Sequence, residues 1–284
     1  MITSSQLFGF TTMAYLLSSA CYIGLLVFRQ RNVGQIGLAL AAVGIFIQTA
    51  GLGLRWHESY QLGIGHAPLT NMYESLLFFA WCTAIFYVLL ELKFKLPVIG
   101  AFAMPIPLIT LAYTSLDKGL SKEISPLIPA LQSNWLIAHV ITCFIGYGAF
   151  AVAAGLGIMY LLKHYFQHGD VTSAADKSTL PDLRTLDDLI HKTIVFGFMW
   201  LSAGIITGAV WANEAWGTYW SWDPKETWSI ITWFLYALTL HARFTRGWNG
   251  VRIAWLAFFG FASVFFTYFG VNYWLSGLHS YGSN

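Results

Sequence analysis

Long apolar stretches alternate along the chain with short polar ones, and each apolar stretch runs to about 20 residues, the length a helix needs to cross a bilayer core. Eight stand near 8–28, 33–54, 70–90, 97–116, 132–162, 192–212, 225–242 and 252–274. The pattern predicts an all-α fold, a polytopic membrane bundle of about eight transmembrane helices. The fifth stretch is too long for one simple crossing and is expected to project past the bilayer or begin in the interface. Pro97, Pro105 and Pro107 predict a distorted fourth helix, which membranes tolerate when neighbours satisfy the freed carbonyls. Gly146, Gly148, Gly155 and Gly157, interleaved with alanines, predict close helix contacts along the fifth. No repeat or separable soluble module interrupts this, so residues 1–284 read as one membrane domain.

Composition agrees: 57% of residues are hydrophobic and 10% charged, against about 25% charged in soluble domains. Basic residues set the orientation. With the N-terminus outside, the inner segments hold eleven of the 15 lysines and arginines, and the outer ones only Arg55, Lys118, Lys122 and Lys225. Both termini then face the periplasm, lumen or cell exterior. The net charge of +2 reflects this inner-face bias and gives no indication of nucleic acid. No cleavable signal is evident. Cys21, Cys82 and Cys143 fall inside apolar stretches without a C-x-x-C pair, so packing is their expected role. The inner loop at about 163–191 is polar and long enough for a short surface helix.

Candidate chemistry concentrates at the outer face. Six of the 13 tryptophans lie between Trp211 and Trp233, around the string Trp216-Gly217-Thr218-Tyr219-Trp220-Ser221-Trp222-Asp223-Pro224-Lys225-Glu226. Interfacial aromatic belts are sparser than this outer loop at about 211–228. Flat rings held at one depth suit a flat, apolar, edge-charged ligand, and haem is the obvious candidate.

The histidines test that idea. His164, His168 and His191 belong to the inner face and read as solvated; His57 and His66 fall in the first outer loop and are unexceptional. His139 lies inside the fifth stretch, one helical turn after Trp135. It reads equally as a functional ionisable group or as a buried imidazole on a carbonyl. His279, in the outer tail, means little alone. Together with the Trp loop, His139 and His279 suggest two imidazoles on opposite faces of a haem iron. His241, near the inner end of the seventh stretch, fits either a side chain at the interface or a second haem position. It is 18 residues from Asp223, roughly 27 Å of helix. Asp223-Pro224-Lys225-Glu226 also fits a helix start, with Asp223 as cap, and Asn71 to Glu74 is a similar pattern. A cap does not require the Trp density. Lys225 is the outer cation nearest the platform and the favoured partner for a propionate.

The string from Trp216 through Trp220, Trp222, Asp223 and Lys225 to Trp228 resembles the WWD signature of haem-handling proteins in cytochrome c maturation. The segments Pro68–Ser75 and Leu131–His139 are similar to the CcsA/ResC branch. The resemblance runs from about residue 55 to the C-terminus. It implies a subunit of a system II cytochrome c synthase that works with a CcsB/ResB-type membrane partner. Such a pair moves or presents haem (haem b, in transit) at the outer face and supports thioether formation with the C-x-x-C-H thiols of apocytochrome c. By position, His139 and His279 correspond to the external iron ligands and His241 to the intramembrane ligand, whose fellow comes from the partner. No catalytic acid, base or nucleophile is indicated. The implied location is a bacterial cytoplasmic membrane or a thylakoid. The rivals are a CcmC-type haem delivery protein, a HemX-like regulatory protein and, most distantly, a small-molecule transporter.

Overall fold

The computed structural model describes residues 2–167, 180–275 and 277. His168, Lys177 and His279 lie outside them. The described residues form helices and no strands: α1 (Ser4–Phe28), α2 (Arg31–Gln61), α3 (Met72–Phe94), α4 (Pro97–Leu116), α5 (Asn134–Gln167), α6 (Leu183–Trp216), α7 (Pro224–Arg246) and α8 (Val251–Trp274). All but α7 are long and apolar enough to span a membrane. α7 is amphipathic in the inverted sense. Glu226, Thr232 and Thr239 are buried, while Ile231, Phe234 and Leu238 face outward. Its polar residues lower its mean hydropathy, and the stripe they form is turned into the bundle.

Two helices are irregular. The prolines divide α4 into a 3₁₀ turn at Pro97–Ile99 and helical pieces Gly100–Ala103 and Pro105–Leu116, as the missing amide of proline requires. α8 contains a π-helical turn at Phe266–Gly270, a form that recurs at functional sites.

α5 is the centre of the bundle and touches α3, α4, α6 and α8. In lipid, helices gain little by hiding apolar surface from one another, so close packing must hold them. Its glycines supply it. A Cβ on Gly148 would stand 3.0 Å from the Thr83 amide nitrogen of α3, and one on Gly157 would stand 2.8 Å from the Ala254 carbonyl of α8. Gly148→Val is therefore expected to cost about 1–3 kcal/mol by overpacking. The measurement is the temperature at which the detergent-solubilised protein stops eluting as one species.

Buried polar pairs fix the remaining register. Tyr15 donates to Gln48 Oε1 (2.6 Å), whose amide nitrogen donates to the Leu77 carbonyl (2.9 Å). Tyr22 and Tyr87 both donate to Glu91 Oε2 at 2.5 Å. At the inner end Asp187 pairs with Arg243 (2.8 Å) and accepts from the Gly250 amide (2.7 Å). With no water in the bilayer core, these groups must satisfy one another.

The helices run further than the apolar pattern indicates. α5 has 34 residues, about 51 Å of rise, and α6 begins at Leu183, where Asp182 accepts from the Thr185 amide at 2.8 Å. The polar segment expected at 163–191 is thus helical at both ends. α2 continues to Gln61, which places His57 on a helix rather than in a loop. A helix outside the bilayer needs only satisfied ends, so its length is not written in hydropathy alone.

Candidate functional site

The Trp loop is built by two helix ends. α6 stops at Gly217, whose left-handed φ of 77° closes the last turn. α7 starts at Asp223, which accepts from the Lys225 amide, while Glu226 Oε2 accepts from the amides of Ser221 (2.8 Å) and Asp223 (3.3 Å). The capping reading of Asp223 is therefore realised, with Glu226 pinning the loop from behind. Trp222 takes φ 60°, uncommon for a residue with a side chain, and is 72% exposed. It meets Trp220 edge to face at 5.8 Å.

Behind the loop, between the outer halves of α3, α5, α6, α7 and α8, lies a cavity of about 1250 Å³ with its mouth included. His139 lines it from α5. The Nδ1 of His139 is 2.7 Å from the Gly204 carbonyl. A carbonyl only accepts, so Nδ1 carries the hydrogen and the lone pair of the neutral ring is on Nε2. The imidazole also stacks on Trp211 (5.9 Å between centroids, 17° between planes). Trp211 in turn donates to the Ala130 carbonyl at 2.8 Å. The ring fits only because α6 has no side chain opposite it: a Cβ on Gly208 would come within 2.5 Å of Nδ1.

The rest of the wall is divided by chemistry. Trp211, Tyr219, Trp220, Phe144 and Tyr147 give an aromatic side. The Trp220 indole nitrogen is buried without a hydrogen-bond partner among the described residues. Beside it lies a polar end, where Lys225 Nζ donates to Asn272 Oδ1 at 2.9 Å and Tyr268, edge to face on Phe144 at 5.8 Å, shares a 2.6 Å hydrogen bond with Ser75 through its hydroxyl. The π turn of α8 brings the consecutive residues Thr267 and Tyr268 both to the cavity. The other outer cations are elsewhere. Arg55 is buried against Glu74, and Lys118 and Lys122 are exposed on the outer loop.

The structure thus brings together His139, Trp220 and Lys225. Trp216 packs on Trp211 at 4.9 Å, and neither it nor the exposed Trp222 is among the residues that line the cavity. His241 is exposed near the inner end of α7 and does not line the cavity. His279 lies outside the described residues. The tail reaches the site at Gly277, where a Cβ would run into the Asp223 carboxylate and the Pro224 ring. His66 is buried rather than unexceptional, with its ring nitrogens 2.9 and 3.1 Å from the carbonyls of Ala67 and Ser125. Sequence reasoning missed Cys143, Tyr147, Tyr268 and Asn272. The available signal was helical spacing: His139, Cys143 and Tyr147 recur every fourth residue on one face of α5, and Gly204 and Gly208 answer them on α6.

Comparison with known proteins gives a consistent result. Residues 69–279 match the cytochrome C assembly protein family. The CcsA cytochrome c biogenesis protein of Guillardia theta is 43% identical, with 96% of this chain and 94% of that protein covered. That of Gloeobacter violaceus is 38% identical over 87% of this chain and 86% of its own length. Among solved structures, the cytochrome c haem lyase CcmF superposes with a TM-score of 0.70 over 94% of this chain at 18% identity, which shows a shared fold. The chain spans 47% of that structure's length. A family match over most of the chain and relatives of this identity leave one assignment: the chain belongs to the CcsA family of cytochrome c biogenesis proteins.

Proposed function

We propose that the outer cavity holds haem b in transit, with His139 Nε2 as one axial ligand, and presents it to an apocytochrome c. The observation that carries this is the His139–Gly204 hydrogen bond, which directs the imidazole lone pair to Nε2. Orientation of this kind, by a partner on the other ring nitrogen, is the usual support of a metal-ligating histidine. The cavity suits the ligand. Its aromatic side matches a porphyrin face, and Lys225 at the polar end matches a propionate. His279 is proposed as the second external ligand and His241 as the ligand at an inner position, completed by a CcsB/ResB-type partner. Trp216 and Trp222 support the loop around the site, and Asp223 launches the helix that carries Lys225.

The chemistry asked of this chain is positioning. Each thioether adds S–H across a haem vinyl. Sulfur bonds the carbon next to the ring, the hydrogen ends on the terminal carbon, and no net oxidation occurs. The chain needs no acid, base or nucleophile for this; holding the plane beside two thiols supplies the advantage. The setting is the thylakoid or cytoplasmic membrane.

The test is the reduced absorption spectrum of the detergent-purified chain with its partner, from haem-replete cells. A low-spin bis-imidazole spectrum is expected. Lys225→Met should lower retained haem about tenfold, the worth of one charge-assisted hydrogen bond. A preparation without a haem band overturns the proposal, and an unchanged haem content in Lys225→Met removes the propionate role.

A further inference from the structure

A second open cleft, of about 1450 Å³ with the open space at its mouth included, lies on the same outer face. It is formed by the outer ends of α2, α5 and α6 together with the loops at 63–70 and 126–134. Leu69, Thr70, Leu131 and Leu136 line both this cleft and the haem cavity, so four side chains form a common wall between them.

The cleft is preformed. Its α2 side is held by Ser59, which donates to the His66 carbonyl at 2.9 Å. His66 bridges to the Ser125 carbonyl of the opposite loop. Arg55 reaches the Lys122 carbonyl at 3.0 Å, and Trp211 holds the Ala130 carbonyl beside the shared wall. The two spaces differ in charge. The haem cavity is lined by both Lys225 and Glu226, whereas among the described residues the cleft lining includes one carboxylate, Glu214, and no lysine or arginine to offset it. Its rim offers exposed aromatic surface on Trp56 (47%) and Tyr60 (61%), with Ser133 and Asn134 as hydrogen-bonding groups. Rigid aromatics beside adaptable polar groups, with one negative charge, suit an extended neutral-to-basic peptide. They do not suit an anionic ligand.

We infer that this cleft is the docking site for the thiol-bearing segment of the apocytochrome, and that its C-x-x-C-H enters the haem cavity past the Leu69–Leu131–Leu136 wall. The inference rests on the proposed haem role of the neighbouring cavity. The cleft holds the flanking peptide while the wall sets which residues reach the vinyls.

The experiment places the photocrosslinking residue benzoylphenylalanine at Tyr60, and as a control at Phe234 on the outward face of α7 (60% exposed). The full chain with its partner is irradiated with an apocytochrome c bearing one C-x-x-C-H, and the haem spectrum is recorded on the same sample. An adduct with the apocytochrome from position 60 and not from 234 is expected. Glu214→Lys should lower its yield about tenfold, as like charges at an interface repel basic partners, with haem absorption unchanged. Glu214→Gln should lower it less and serves if the reversal impairs folding. An adduct with lipid, equal yields at both positions, or insensitivity to both Glu214 variants would overturn the cleft. A haem band without the adduct condemns the cleft alone; the adduct without a haem band condemns the haem reading alone.

Discussion

His139→Ala should strip haem from the outer cavity, and added imidazole should restore the spectrum. The ring is stacked on Trp211 and hydrogen-bonded to Gly204, both on α6, so its removal opens a space of imidazole shape with its walls intact. Losing even a group that orients a metal ligand weakens a site by about 10–100-fold, and loss of the ligand itself should reach the upper end or beyond. The neighbouring Cys143, with Sγ 3.7 Å from Nδ1 and no side chain opposite it at Gly204, remains in place. The reduced spectrum therefore distinguishes two cases. Recovery of the low-spin band with imidazole shows a vacated ligand position, while a variant that binds haem normally removes His139 from the iron.

The second large effect is expected from Glu74→Ala, measured as loss of thermal stability. Glu74 and Arg55 form a 2.8 Å ion pair with side chains 1% and 3% exposed. Each has further partners. Glu74 Oε2 accepts from the amide and hydroxyl of Thr70 at 3.0 and 2.9 Å, and Arg55 donates to the Lys122 carbonyl. Removing the carboxylate leaves a guanidinium buried without its counter-charge, which typically costs about 3–5 kcal/mol. Replacing both residues should cost less than the sum of the single changes, because no unpaired charge then remains. If Glu74→Ala alone melts like the parent, the pair is not a structural node. Thr70 lines both outer spaces, so haem retention should fall with stability in this variant.

How far the sequence could be read depended on whether a feature was local. Asp223 and Glu226 cap α7 as their spacing indicates, because a cap involves only its own turn. The three prolines break α4 for the same reason. Apart from the amphipathic α7, helix existence followed from apolar length, but α5 and α6 outran it because helices continue into polar surroundings wherever their ends are satisfied. The lining of the outer cavity was legible at His139, Trp220 and Lys225, where residue type is unusual for its surroundings. Tyr147, Tyr268 and Asn272 were hidden, since aromatic and amide side chains in a membrane helix are ordinary until one knows which way they face. That facing is a tertiary property. Asn272 meets Lys225 across 47 residues of chain, and no spacing rule reaches so far.

The single π turn at Phe266–Gly270 has a consequence for how this protein can change over evolutionary time. A π turn holds one residue more than the α turn it replaces, so deleting one residue there would restore a continuous α-helix with the residues after it close to their original orientation. Asn272 would stay opposite Lys225. A deletion in the regular part of α8, by contrast, would rotate everything after it by about 100°, the angle per residue of an α-helix. The π turn is thus a point where α8 can lose a residue while the polar end of the cavity keeps its address.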